Sequence, residues 1–433
     1  MQRLKQLHLY GVLALLAYMP FHLFLSRWLS LYTGGLGIWD ASKDLITLAL
    51  LGISIFISWQ TGLYKNKTVQ TLFLLIAVYG ILHLLFILFD NNDQHTRSWI
   101  IATLYNGRIL AYLFVGLVAG YAVKTFPKET IIKIILITST ITCFFALVQY
   151  ALPKDLMEHF GYSIERGAKP SFFIDDKLDF PRVMSTVRDP NSYGAYLILP
   201  IVLLWNFILR RSASLKKLVP LLVLHGIALF LTFSRGAWLG VLIAGGFVTV
   251  YVYRKTLSSF LKKNYLFLAI LAVGLLVVGF SVRNTYVFKN VILHSDESTV
   301  MADPNELRVQ LQDKAVEDIA NDPEGHGPGT AGLASIGNPN GTFLTENYYL
   351  QLGYEVGLIG LAIFLTLLAL VYKSVSGTED SDLKFVILAT FWAYAFMALL
   401  IHLWSNEAVA AQWWLLAGLV IGASISNTSK KKT

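Results

Sequence analysis

Four arginines stand within or at the edges of apolar segments, where a charged side chain is costly unless it faces a partner or a cavity. Arg182 and Arg188 precede the apolar run 190–209, Arg235 stands between two apolar runs, and Arg108 lies within the apolar run 98–123. Guanidinium groups bind phosphate oxygens through paired hydrogen bonds. Converging arginines at a membrane boundary would suit a lipid-linked diphosphate. The alternative is that each arginine pairs with a carboxylate or a lipid headgroup.

Proton transfer needs a titratable side chain close to these arginines. The candidates in the same polar segments are His294, His326, His402, Glu346 and Glu407. Glu346 and Asn347 stand where a long polar segment returns to an apolar one, so a helix should begin there. A helix N-terminus favours an ionised carboxylate, which could accept a proton from a hydroxyl. The simpler interpretation is that Glu346 caps the helix.

The polar segment also contains a glycine-rich stretch, Gly325-His326-Gly327-Pro328-Gly329. Glycines allow backbone N–H groups to converge on an anion. A P-loop is excluded because no Lys-Ser/Thr pair follows, and a turn-rich loop is the simpler interpretation. The sequence contains no zinc-binding pattern of His and Cys, so we expect neither a metal nor a cofactor.

The composition decides which elements position these residues. Of 433 residues, 55% are hydrophobic and 14% are charged, and the mean hydropathy is +0.58. A soluble domain carries about 25% charged residues, so a soluble enzyme and a nucleic-acid binder are both poor fits. The single cysteine, Cys143, excludes an intramolecular disulfide framework. The sequence therefore predicts an all-α integral membrane protein.

Apolar runs of about 20 residues are long enough to cross a bilayer. The sequence contains about twelve such spans, which form a single polytopic domain over 1–433. The spans are 8–32, 42–61, 69–89, 98–123, 131–151, 190–209, 218–233, 236–253, 264–281, 347–372, 384–402 and 409–426. This division requires a tight corner at Arg235, whereas one long helix there would move every later loop to the opposite side.

The basic residues favour the corner. Lysines and arginines gather at both termini and in the loops 62–68, 124–130, 210–217, 254–263 and 373–383. The short loops 33–41, 90–97 and 403–408 contain only Arg97. This asymmetry predicts cytoplasmic termini. It also predicts two large external loops, 152–189 and 282–346.

The second external loop contains an amphipathic helix near 304–320. Asp303 is its predicted N-cap, Pro304 fits the first helical position, and Glu306 completes a capping box. Apolar residues then recur every four positions, at Leu307, Leu311, Ala315 and Ile319. We expect this helix to lie on the bundle or on the membrane surface, with Arg308 beside its apolar stripe.

Several motifs follow one another in a characteristic order between residues 182 and 365. They are Arg182, Ser185-Thr186, Asp189-Pro190-Asn191-Ser192-Tyr193-Gly194, Phe233-Ser234-Arg235-Gly236-Ala237-Trp238-Leu239-Gly240, Arg308, Gly325–Gly329, Glu346-Asn347-Tyr348-Tyr349-Leu350-Gln351 and Glu355-Val356-Gly357-Leu358-Ile359-Gly360. In these motifs the chain resembles the bacterial O-antigen ligase and polysaccharide polymerase superfamily of membrane proteins.

The resemblance implies a metal-independent glycosyltransferase with a GT-C-like helical bundle in the bacterial inner membrane. Such proteins take a glycan from undecaprenyl diphosphate on the outer face. Ligases pass it to lipid A–core, and polymerases pass it to another lipid-linked repeat unit. In the ligases the external loop ends in His-Asn, whereas here the matching residue is Glu346. This departure favours a polymerase and leaves the base open between Glu346 and His326.

The resemblance also implies roles for the other candidates. Diphosphate contacts are expected from Arg182, Arg188, Arg235 and Arg308, and glycan contacts from Asn191, Asn347 and Tyr348. The expected partners are the lipid-linked oligosaccharide and membrane lipid, with a chain-length regulator as a further candidate and no nucleic acid. A lipid-linked-sugar transporter is the alternative of another class. Transporters typically show repeated halves, which this sequence lacks.

Overall fold

The computed structural model describes residues 1–89, 93–123, 125–174, 177–212, 214–256, 263, 304–338, 344–379 and 381–430. In these residues the chain is a helical membrane protein with one short β-hairpin. Its helices are α1 Gln2–Tyr18, α2 His22–Thr33, α3 Leu36–Thr61, α4 Lys67–Phe89, α5 Asp93–Ala122, α6 Lys128–Ala151, α7 Pro190–Arg210, α8 Leu215–Leu231, α9 Arg235–Thr256, α10 Pro304–Asn321, α11 Tyr348–Ser376, α12 Asp382–Met397 and α13 Glu407–Lys430. Nine helical segments of the described chain, counting α1 and α2 as one, are long and apolar enough to cross a membrane.

Most of the predicted spans coincide with these helices. Two of them, α8 and α12, have only 17 and 16 residues, which is short for a complete crossing. The predicted span 264–281 lies outside the described residues, as does the predicted N-cap Asp303. The total of twelve spans and the orientation across the bilayer stay predictions.

The helix boundaries near the predicted site follow from local sequence. The corner is present, since α8 ends at Leu231, α9 begins at Arg235, and Phe233 between them has a φ of 49°. At the start of α7, the Asp189 carboxylate accepts a hydrogen bond from the Ser192 backbone N–H at 2.9 Å. The first helical position is Pro190, which has no N–H to leave unpaired.

The centre of the bundle is the contact between α5 and α13, where glycines let the two backbones approach closely. A Cβ at Gly116 would overlap the carbonyl oxygen of Leu415, and a Cβ at Gly422 would overlap that of Leu117. Small residues spaced four apart are the usual means of close helix packing in membranes.

The described parts of the two long polar segments meet at one end of the bundle, which we call the loop face. Segment 152–189 contains a short antiparallel hairpin, β1 Phe172–Ile174 and β2 Lys177–Arg182, which the sequence analysis did not predict. Helix α10 is found where the amphipathic helix is predicted. Its apolar stripe becomes buried only toward the C-terminal end, where Ala315 and Ile319 are 0% and 8% exposed while Leu307 is 48% exposed.

Helix α11 is interrupted at the loop face. Gly357 has a φ of 70°, and a Cβ there would overlap the carbonyl oxygen of Glu324. Backbone groups freed by the interruption bind the glycine-rich stretch, since the His326 N–H donates to Tyr354 O at 2.8 Å and the Gly327 N–H donates to Glu355 O at 2.9 Å. The kink in α11 therefore holds the glycine-rich stretch in place.

Candidate functional site

A cavity of about 170 Å³ opens at the loop face, between the starts of α7, α11 and α13. We call it the loop-face cavity. Eight polar and three apolar residues line it, from segments that are far apart in the sequence. They are Arg188, Asp189, Asn191, Ser192, Leu333, Leu344, Glu346, Ile401, His402, Ser405 and Asn406. Four of the residues singled out from the sequence are thus brought together: Arg188, Asn191, Glu346 and His402.

Glu346 is held in an unusual conformation on the cavity wall. Its φ is 46°, which is uncommon outside glycine and is often found at functional sites. Its carboxylate forms an ion pair with the Arg308 guanidinium from α10. The two side chains are 40% and 31% exposed, so the pair adds little stability and serves mainly to orient the carboxylate.

Arg182 lies behind the cavity wall and joins three elements. At the end of β2, its Nε donates to the Thr232 carbonyl oxygen at 2.9 Å, and its Nη2 donates to Asn191 Oδ1 at 2.9 Å. It therefore positions Asn191 and the corner before α9. Arg235 is the first residue of α9 and does not line the loop-face cavity.

Asn347 and Tyr348 stabilise the start of α11. The Asn347 side-chain oxygen accepts hydrogen bonds from the backbone N–H groups of Tyr349 and Leu350, at 3.0 and 3.2 Å. Tyr348 is 1% exposed and packs against Phe364 in the core. Asn347 therefore forms the helix cap, and Glu346 does not.

His326 lies away from the loop-face cavity. Its ring stacks on Tyr354 with centroids 4.0 Å apart. Its Nε2 is 3.4 Å from an Asp322 carboxylate oxygen, and its Nδ1 is 3.3 Å from the Tyr354 carbonyl oxygen. Both ring nitrogens therefore have partners outside the cavity.

The group bound by the glycine-rich segment is one of the chain's own glutamate side chains. Glu355 Oε1 accepts hydrogen bonds from the backbone N–H groups of Gly329 and Gly332, at 3.1 and 2.9 Å. Its other oxygen accepts one from Gln351 Nε2 at 3.2 Å, and Glu355 itself is 0% exposed. We call this arrangement the glutamate clamp. The converging N–H groups are present as the sequence suggested, but an internal carboxylate binds them.

A buried charge cluster lies beside the cavity. Arg108 Nη1 is 3.5 Å from Glu407 Oε1, and Lys43 Nζ is 3.7 Å from the same oxygen. Arg108 Nη2 also donates to the carbonyl oxygen of Ser405, a wall residue, at 2.5 Å. Arg108 thus has the carboxylate partner that its depth in the membrane requires.

Among the described side chains, no three His, Cys, Asp or Glu residues converge as metal ligands would. Sequence analysis assigned no role to Gln351, Ser405 or Asn406. Their only signal is polarity next to long apolar runs, which many helix ends share.

Comparison with known families gives one match. Residues 220–365 match the family model described as O-antigen ligase. The matched segment is less than half of the chain and includes the corner at Arg235, helix α10, the glycine-rich stretch and Glu346. No curated protein matches the sequence. The match confirms the resemblance from which the sequence analysis argued.

Proposed function

We propose that the chain is a polymerase of lipid-linked glycans, a proposal that starts from the match of residues 220–365 to the family model described as O-antigen ligase. The reaction would join undecaprenyl-diphosphate-linked repeat units at the outer face of the bacterial inner membrane. The observation that carries the proposal is the loop-face cavity, in which Arg188 and the carboxylate of Glu346 line one space beside the matched domain.

The chemistry requires charge stabilisation at the leaving group. When an acceptor hydroxyl attacks C1 of the donor sugar, the bond from C1 to the phosphate oxygen breaks and the lipid diphosphate leaves with its negative charge. A preorganised guanidinium stabilises that charge strongly in a site shielded from water. Arg188 is the arginine on the cavity wall. Arg182 supports the wall from behind, through its hydrogen bonds to Asn191 and to the Thr232 carbonyl oxygen.

The proton of the acceptor hydroxyl would pass to Glu346. Glu346 lines the cavity, Arg308 orients its carboxylate through the ion pair, and Asn347 forms the helix cap in its place. His326 is the weaker candidate for the base because it lies outside the cavity wall and both its nitrogens have partners. A single displacement by the hydroxyl predicts inversion at the anomeric carbon.

The second candidate is ligation to lipid A–core, which the description of the matched family favours. The carboxylate at position 346, where ligases have histidine, favours the polymerase. The two activities differ only in the acceptor, so a purified system separates them. A transporter would give no covalent product in such a system.

The decisive assay uses purified protein and lipid-linked oligosaccharide extracted from a strain that lacks this chain, without nucleotide sugars. We expect a ladder of longer glycans from the wild type and from the matched control Glu317→Gln, which removes an exposed carboxylate of α10. We expect at least a 100-fold weaker ladder from Glu346→Gln. Transfer only when lipid A–core is added would establish a ligase, and a wild type inactive with both acceptors would overturn the proposal.

A further inference from the structure

His402 lies in the loop between α12 and α13 and lines the loop-face cavity together with Glu346 and Asn406. It lies outside the segment that matches the ligase family. The Nδ1 atom of its ring is 2.7 Å from the side-chain oxygen of Gln351. This contact determines which of the two ring nitrogens carries the proton.

The glutamate clamp determines which end of the Gln351 amide faces His402. Gln351 Nε2 donates to the Glu355 carboxylate, because a carboxylate accepts and the amide nitrogen can only donate. The amide oxygen therefore faces the histidine, and Nδ1 must carry the proton that it donates. In the neutral ring the lone pair is then on Nε2.

Two other buried histidines provide a comparison for this Nε2 atom. His225 has partners at both ring nitrogens, Ser139 at Nε2 and the Leu221 carbonyl oxygen at Nδ1. His8 has a partner at Nε2 but a buried Nδ1 without one among the described residues, and His8 does not line the loop-face cavity. His402 Nε2 is shielded from solvent and has no hydrogen-bond partner among the described residues. A buried acceptor without a partner is destabilising, and such groups in native proteins typically await a ligand or a bound water.

The ring also stays neutral under ordinary conditions. Burial lowers the pKa of His402 from 6.5 to about 4. A neutral ring whose other nitrogen is already donating can only accept a hydrogen bond at Nε2. Phosphate oxygens at neutral pH offer mostly acceptors, so this atom disfavours the diphosphate and suits a hydroxyl.

We infer that His402 Nε2 accepts a hydrogen bond from a sugar hydroxyl, so that His402 is a glycan-binding residue of the loop-face cavity. The inference rests on the proposed function, because it assumes that the cavity binds a glycan. Gln351 and Glu355 act as positioning residues that keep the lone pair on Nε2. Glu346 remains the group that takes the proton of the reacting hydroxyl, and His402 holds the sugar that carries it.

Two substitutions separate hydroxyl binding from a purely steric role. His402→Phe keeps a ring but removes the acceptor, whereas His402→Gln keeps an acceptor oxygen. The control is His159→Phe, at an exposed histidine of the other loop. With the extracted lipid-linked oligosaccharide, we expect His402→Phe to lower kcat/KM about 10-fold, mainly through KM, and His402→Gln to stay within about 3-fold of the wild type.

Two kinetic outcomes would overturn the inference. If His402→Phe retains wild-type kcat/KM, Nε2 binds at most a water molecule. If both variants lose kcat equally with KM unchanged, His402 is a base and the assignment of Glu346 fails instead.

A measurement on the wild type keeps the inference testable without turnover. Protein with ¹⁵N-labelled histidine should show several imidazoles with a protonated Nδ1 and an unprotonated Nε2, because His83 and His225 also donate from Nδ1 to carbonyl oxygens. The signal of this kind that disappears in His402→Gln belongs to His402. Added oligosaccharide should shift that Nε2 resonance, and inorganic pyrophosphate should not. A shift without polymer formation would leave the subsite standing and reject the polymerase. No shift with oligosaccharide would reject the subsite whatever the activity.

Discussion

Glu346 and Glu355 lie on the same stretch of chain, one just before α11 and the other at its kink, yet their surroundings are opposite. Glu355 is 0% exposed, and its oxygens accept hydrogen bonds from Gln351 and from the backbone of the glycine-rich segment. Glu346 is 40% exposed and has a left-handed backbone. Its described ion-pair partner is an arginine from α10, which the sequence places far from α11.

The difference separates a carboxylate that holds the fold from one that is available for chemistry. A buried carboxylate whose oxygens are all occupied cannot receive a substrate proton without breaking the clamp. A half-exposed carboxylate on a cavity wall can do so, and its strained backbone has no use in helix capping because Asn347 supplies the cap. Substitutions at the two positions should therefore affect different properties of the protein.

The largest effect is expected at the glutamate clamp. Glu355→Ala leaves the buried N–H groups of Gly329 and Gly332 without an acceptor, which should lower the free energy of unfolding by about 3 kcal/mol or more. Thermal unfolding in detergent should show a much lower Tm, or little folded protein should be recovered. Glu317→Ala, at an exposed site, is the control. A normal Tm for Glu355→Ala would mean that the clamp does not hold the loop.

Glu346→Gln should give the reverse pattern. Its ion pair with Arg308 is half-exposed, so its loss should change the free energy of unfolding by less than about 1 kcal/mol. Polymer formation should nevertheless fall at least 100-fold, since a proton acceptor is removed. Tm and ladder intensity measured on one preparation test both parts. If Glu346→Gln loses both stability and activity, the proposed difference between Glu346 and Glu355 is wrong.

Local sequence predicted the helices and their ends well. Long apolar runs identify spans by length alone, and the corner before Arg235 was predicted because the distribution of basic residues requires it. The amphipathic helix was readable from Pro304 and its four-residue repeat. In each of these cases the determining interactions lie within a few residues of one another. The three-residue strand Phe172–Ile174 was not predicted because it is too short to show an alternating pattern.

The site was predicted only in part, because its contacts join distant segments. Nothing near Gly329 indicates that its N–H group binds Glu355, and nothing near His402 indicates Gln351 as its partner. Arg108 was a plausible phosphate ligand until its depth in α5 placed it against Glu407. Residue types reveal which groups could act, whereas tertiary packing decides which of them are already occupied.

A smaller effect is expected in the pH dependence of stability, through His402 on the cavity wall. Since burial lowers the pKa of His402 to about 4, the unfolded state binds more protons than the folded state between about pH 6.5 and 4. The stability that neutral His402 provides is complete above pH 6.5 and is lost as the pH falls toward 4, by at most about 1.4 kcal/mol per pH unit. Tm of the wild type should therefore decrease more steeply on acidification than Tm of His402→Gln. The other histidines titrate in both proteins, so parallel slopes would contradict the neutral, buried state of His402.

The smallest effect should follow from Arg308→Lys, which tests how Glu346 is oriented. Lysine keeps the positive charge but lacks the planar fork, so the ion pair should persist while the direction of the carboxylate becomes less defined. We expect Tm to stay within the error of the wild type, because the pair is half-exposed, and polymer formation to fall about 3-fold to 10-fold. Polymer formation by Arg308→Ala should fall further, since this substitution removes the charge as well. If lysine and alanine are equally harmful, the fork geometry determines the position of Glu346. If lysine is fully active, charge alone is sufficient and Glu346 does not need Arg308 to orient it.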